Sequence, residues 1–237
     1  MARLARLVVA GLLHVVVHRA LKGQSAFLDD EDRRAYLQAL QAAAREAGVA
    51  VHGYGMDECE VRLLVTPSTA AALGAMMQSL GRRYVRGFNV RHGRNGTPWE
   101  GRFRSTVVEA QDLFLSCLRF VEAGASGELA EQPHGPIDRH SSLAHHLGGA
   151  VDPLVTEHGA FWSLGNTPFE REAVYRQLLQ RPVPEGLIAR IRAAAMKGWA
   201  LGSPEFIDGL GAVTARRLLP LKRGRPAKVS SPETVSA

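Results

Sequence analysis

Val49-Ala50-Val51-His52-Gly53-Tyr54-Gly55-Met56-Asp57-Glu58-Cys59-Glu60-Val61-Arg62-Leu63-Leu64-Val65 is the stretch on which the fold turns. Two apolar runs rich in β-branched residues, 49–54 and 61–65, flank a short polar turn at Asp57 and Glu58, which reads as two consecutive strands. A parallel crossover needs a dozen or more residues, so strands joined this closely pair antiparallel. Upstream, residues 29–47 read as a helix. Asp29 or Asp30 caps it, Tyr36, Leu37, Leu40 and Ala44 recur at helical spacing, and Gly48 ends it. Before it, the valine-rich run 7–18 reads as a strand. Downstream come a helix from a Ser68 cap to about Phe88, a loop with Gly93, Asn95-Gly96 and Pro98, a strand at 103–109 and a helix at 112–122. The order β-α-β-β-α-β-α implies an α+β fold, an antiparallel sheet covered by helices.

The glycine-rich, polar stretch 123–135 marks a boundary. We therefore expect a domain at 1–126, a small helical extension at 127–219 with helices at 167–179, 185–197 and 203–218 capped by Thr167 and Ser203, and a disordered basic tail at 220–237. The chain has 237 residues, 46% of them hydrophobic and 22% charged, which excludes disorder as its main state. The apolar run 7–17 is broken by Gly11 and His14 and is too short to span a bilayer, which needs about 20 apolar residues. It lacks a cleavage site and does not read as a secretory signal. Cys59 and Cys117 match no metal spacing and suit a reducing cytoplasm. Serine-hydrolase, P-loop and dinucleotide signatures are absent.

The net charge of +6 is concentrated. Arg82, Arg83, Arg86, Arg91, Arg94, Arg102 and Arg104 lie in one stretch whose only acid is Glu100, and Arg216, Arg217, Lys222, Arg223, Arg225 and Lys228 form a second cluster without acids. Arginine grips two phosphate oxygens at once, so both clusters suit a polyphosphate partner. Tyr84, Phe88, Trp99 and Phe103 are interleaved with the first, as residues that stack on unpaired bases would be. The bland alternative is a solvated surface.

Trp99-Glu100-Gly101-Arg102-Phe103-Arg104-Ser105, preceded by Ser79-Leu80-Gly81-Arg82-Arg83-Tyr84-Val85, resembles the most recognisable stretch of the REP-associated tyrosine transposases of the HUH superfamily. Arg3-Leu4, His14, Arg19, Phe27 and Asp29-Asp30-Glu31-Asp32 are similar to that family's opening. Leu164-Gly165-Asn166-Thr167-Pro168, Tyr175, Gly198-Trp199-Ala200-Leu201-Gly202 and Lys222-Arg223-Gly224-Arg225-Pro226 are similar to its C-terminal part. The resemblance implies an HUH-type fold with a ferredoxin-like core, and a chemistry that nicks and joins hairpin DNA. A His-x-His pair holds Mg or Mn to polarise the scissile phosphate, a tyrosine attacks it, and an Asn or Gln one helical turn on completes the metal site.

At those positions this chain carries Glu60 and Arg62 for the two histidines, Phe120 for the tyrosine and Gly124 for the assisting residue. Arg62 has no lone pair for a metal, and Phe120 has no hydroxyl. We therefore expect no metal and no catalytic residue. Glu60 and Arg62, two residues apart on one strand face, either pair where the metal charge would sit or are merely solvated.

The leading expectation is a DNA-binding protein of this family without strand transfer. It would be cytoplasmic and nucleoid-associated, monomeric or homodimeric, and not bound to a membrane. It would contact hairpin or palindromic and single-stranded DNA through Arg19, Arg82, Arg83, Arg86, Trp99, Arg102, Arg104, Lys222, Arg223 and Arg225. Arg223-Gly224-Arg225-Pro226 matches the core of AT-hook peptides, and a generic phosphate-binding tail explains it nearly as well. The alternatives are a working transposase with a non-standard nucleophile, Tyr54 or Tyr84, and a folded remnant without activity. His134, His140, His145 and His146 read as surface or linker residues, and His14 and His18 as packed against the core.

Overall fold

The computed structural model of the chain describes residues 6–123 and 140–220. Leu13–Arg19 (β1), Val49–Met56 (β2), Glu60–Pro67 (β3) and Arg104–Val108 (β4) form one sheet in the order β2-β3-β1-β4, every pairing antiparallel. The hairpin of β2 and β3 sets Tyr54 opposite Leu63 and Met56 opposite Val61, with an irregularity between Val51 and Gly53. The α+β architecture expected from the tight β2–β3 connection is the one observed.

Asp30–Ala47 (α1) and Ala72–His92 (α2) cover one face, and Ala110–Ala123 (α3) lies on the other. The Asp29 carboxylate accepts from the backbone N–H groups of Glu31 and Asp32, and Gly48 ends α1 at φ 67°, a left-handed turn that a Cβ would strain. Leu143–His146 (α4), Gly159–Trp162 (α5), Pro168–Leu179 (α6), Glu185–Lys197 (α7) and Pro204–Val213 (α8) follow. Thr167 and Glu170 form a reciprocal capping box on α6, and Ser203 caps α8.

Three of the boundaries that differ from the sequence expectation have a visible cause. The first strand begins at Leu13 rather than residue 7, because Gly11 takes φ 73° and turns the chain. Ser68 does not cap α2; its N–H bonds the Gly48 carbonyl, and the helix starts four residues later without a side-chain cap. The last helix stops at Val213 rather than 218, because Leu218 is buried and its carbonyl accepts from the N–H of Ala200.

Alternation along β3 sends Val61, Leu63 and Val65 towards α1 and α2, and Glu60, Arg62 and Leu64 towards α3. On the α3 side, Leu13, Val15, Val17 and Leu64 pack with Phe161, Tyr175, Ile191 and Ala195. The helical extension therefore completes the core of the sheet's second face. The expected boundary at 126 lies outside the described residues. Close approach of α3 depends on two glycines of β2. A Cβ on Gly55 would sit 2.1 Å from the Val121 carbonyl oxygen, and one on Gly53 would sit 2.5 Å from Leu118 Cδ1.

Candidate nucleic-acid interface

The two strand positions that the resemblance assigns to a metal are closed by an ion-pair network. Arg62 is buried and donates through Nη1 to Glu60 Oε1 at 3.2 Å and Asp57 Oδ2 at 2.8 Å, and through Nε to the Val121 carbonyl at 3.2 Å. Arg19 Nε donates to the other oxygen of Glu60 at 2.9 Å. Of the two readings the sequence left open, the geometry selects the pair over solvated side chains. The donor set does not fit Mg or Mn, which demand several oxygen ligands: Glu60 spends both oxygens on guanidinium groups, Asp57 is itself bonded to Arg62, and Arg62 adds a permanent positive charge.

Phe120 lies on α3, buried, one residue from the carbonyl that Arg62 grips. Its ring preserves packing and offers no oxygen. Gly124 lies outside the described residues. The non-standard nucleophiles are also placed badly for attack. Tyr54 is buried with its hydroxyl 2.6 Å from Asp152 Oδ2, and Tyr84 is buried with its hydroxyl donating to the Ala26 carbonyl. Burial pushes the Tyr84 phenol well above its usual value, further from the phenolate a nucleophile needs.

The arginine cluster separates into distinct roles. Arg83 pairs with Glu46 of α1 at 2.6 Å. Arg91 clamps the N-terminus of α1 through Asp29, Glu31 and Asp32 at 2.6 to 2.8 Å, and this guanidinium holds the Asp29 carboxyl well below its usual value. Arg94 donates to Gln24 and lies over the Phe88 ring. Arg104 donates to the Met196 carbonyl. Arg82, Arg86 and Arg102 are exposed and make no intramolecular ion pair among the described residues.

These three meet at one groove of about 710 Å³ between α2 and the segment leading into β4. Gly74, Gly81 and Val85 of α2 line it together with Arg82 and Arg86, which are one turn apart. Arg102 lines it from the segment leading into β4. Trp99 does not serve as the expected stacking platform. It is buried, and one face of its indole is covered by His18 with ring centroids 4.1 Å apart. Phe27, Tyr36 and Tyr84 close the rest of that aromatic cluster, so Trp99 stiffens the wall of the groove. Arg19 is half engaged by Glu60, and Lys222, Arg223 and Arg225 lie outside the described residues.

His14 and His18 are packed as expected. His14 Nε2 accepts from the Val9 N–H and Nδ1 donates to the Leu12 carbonyl at 2.8 Å, which fixes a neutral tautomer, and burial lowers its pKa to about 4. His134 lies outside the described residues, and His140 is 3.3 Å from Asp30. The surface expectation is wrong for His146, which is buried against Glu122 at 2.7 Å. Glu122 also accepts from Ser142 and Tyr175, each at 2.6 Å, so one buried carboxylate on α3 ties down α4 and α6. Sequence reading missed this cluster because its members come together across 20 to 53 residues of chain.

The architecture has a counterpart among solved structures. A REP-associated tyrosine transposase bound to a REP hairpin superposes with a TM-score of 0.51 over 68% of this chain and 93% of its own, at 10% identity. The fold is shared with that transposase. A candidate transposase from Deinococcus radiodurans R1 aligns with a TM-score of 0.36 over 49% of this chain and 91% of its own, at 16% identity. No protein-family model and no curated protein matches the sequence. No helix among the described residues is long and apolar enough to cross a membrane.

Proposed function

We propose that this chain is a DNA-binding protein derived from a REP-associated tyrosine transposase, and that it holds hairpin or palindromic DNA without nicking or joining it. The observation that carries the reading is the division of the arginines: those around the degenerate catalytic positions are consumed by Glu60 and by main-chain carbonyls, while Arg82, Arg86 and Arg102 line one open groove. A groove lined by three arginines and by Gly74, Gly81 and Val85 suits a phosphate backbone beside the arginines with a sugar or an unpaired base against the uncharged residues. The transposase of the same fold was solved on a REP hairpin, which supports DNA as the partner. In this reading Lys222, Arg223 and Arg225 add phosphate contacts beyond the groove, and neither Mg nor Mn is required.

Gel-shift titration of hairpin, duplex and unstructured single-stranded DNA tests this. The wild-type protein binds the hairpin most tightly, and R82Q/R86Q/R102Q loses most of that affinity. The slope of log affinity against log salt falls by about 0.7 to 0.9 per phosphate contact removed. Equal binding of all three DNAs by wild type and variant contradicts the proposal.

A further inference from the structure

We propose that a second cavity, between β4 and the C-terminal end of α7, is a site for a phosphate group of the bound DNA. The inference rests on the DNA-binding reading and assigns it a definite anion pocket. The cavity encloses about 320 Å³, and among the described residues its lining includes Arg6, Arg102, Arg104, Lys197 and Arg216 and no carboxylate. Arg102, Arg104, Lys197 and Arg216 make no ion pair among the described residues. Arg6 lies over the Phe103 ring at 3.9 Å and donates to the Phe103 carbonyl through Nε and Nη2, and Arg104 donates to the Met196 carbonyl. Both acceptors are neutral main-chain oxygens.

Two polar groups at this cavity have no partner among the described residues. Arg216 Nε and Nη1 are buried without a hydrogen bond, and so is the hydroxyl of Ser105, a residue only 4% exposed. Buried donors left unsatisfied on a half-buried guanidinium are costly, and the partial burial of Arg216 lowers its pKa in keeping with that. An oxyanion removes the cost, because its oxygens accept from the planar fork of Arg216 and from Ser105 while the other cations balance its charge. The carbonyl end of α7 opposes an anion, but only with a partial charge. Arg102 lines both this cavity and the α2 groove, so a strand on the groove reaches the cavity without leaving cationic surface. The phosphate comes either from an internal phosphodiester or from a 5′-terminal monoester, and the two give different outcomes below.

The test uses the full chain and the variants R216Q, S105A and K197Q, the last on an exposed side chain that tolerates replacement. Thermal unfolding is followed in inorganic phosphate and in chloride at equal ionic strength, and anisotropy measures binding of hairpins with and without a 5′-phosphate. We expect phosphate to raise the wild-type Tm beyond the general salt effect that R216Q shows, with S105A and K197Q intermediate. R216Q loses about tenfold or more in hairpin affinity, the scale of a charged hydrogen bond. An equal loss on both hairpins assigns the site to an internal phosphodiester, and a loss confined to the 5′-phosphorylated hairpin assigns it to the terminus. If wild type and all three variants respond alike to phosphate and bind DNA alike, the pocket is not a phosphate site, even where R82Q/R86Q/R102Q upholds DNA binding. If the wild type binds no DNA, the functional reading fails and the assignment to DNA fails with it.

Discussion

At the scale of single residues, the centre of the account is Arg62. Removing Arg62 leaves Glu60 Oε1 and the Val121 carbonyl without their donor while Arg19 still holds Glu60 Oε2, so Arg62→Met is expected to destabilise the protein by about 1 to 3 kcal/mol. Glu60→Gln/Arg62→Met should cost less than the sum of the single changes by more than about 0.5 kcal/mol, measured by urea denaturation, and strict additivity would mean that the pair is not coupled. The positions of Glu60 and Arg62 on one strand face were legible, since a period of two fixes the face. Their further partners, Arg19, Asp57 and the Val121 carbonyl, were not, because strand order and the seat of α3 determine them. Buried histidines give a second residue-level expectation. His14, His18 and His52 have pKa values lowered to about 4 from 6.5, chiefly by burial. Each is neutral in the fold and binds its proton more readily when unfolded, so stability present above pH 6.5 is lost as pH falls towards 4. The slope is about 1.4 kcal/mol per pH unit for each imidazole in that window. Denaturation midpoints compared between pH 7 and pH 5 should show the fall, and a flat profile would mean that these rings are not held neutral.

At the scale of elements, helix α3 and strand β2 depend on each other through Gly53 and Gly55. Gly55→Ala pushes its methyl group against the Val121 carbonyl, so α3 must shift and loosen its bond to Arg62. Such overpacking costs about 1 to 3 kcal/mol, whereas Gly81→Ala on α2, with open space around it, should be neutral or stabilising. Chemical denaturation of the two variants side by side makes the comparison, and equal effects would contradict it. Most elements could be read from caps and periodicity: Asp29 and Gly48 bracket α1, and Thr167 opens α6. Reading failed at the start of α2, where Ser68 has the composition of a cap but its backbone is bonded to Gly48. It also failed for Trp99. Its arginine-rich neighbourhood suggested a surface ring, while the long-range packing of His18, Phe27, Tyr36 and Tyr84 buries it.

At the scale of the whole molecule, the sheet and the helical extension share one apolar layer, pinned by the three hydrogen bonds to the buried Glu122 carboxylate. The composition shift at 123–135 suggested separate parts, because a boundary in sequence says nothing about which faces later pack together. The shared layer predicts one cooperative transition in calorimetry. Glu122→Ala should lower that whole transition rather than split it, with a loss of about 1 to 3 kcal/mol for each buried donor left unpaired. Two separate transitions would show that the extension folds on its own. The same long-range placement divides the arginines into a closed set around Glu60 and an open set at the α2 groove, and the functional claim rests on that division. The most direct test incubates the purified chain with labelled hairpin DNA, with and without Mg²⁺ or Mn²⁺, and analyses each sample on paired native and denaturing gels. The account predicts a shifted complex on the native gel that does not depend on the metal, with intact, unlinked DNA on the denaturing gel. A metal-dependent nick or a covalent protein–DNA adduct would contradict it and restore this chain to the working transposases.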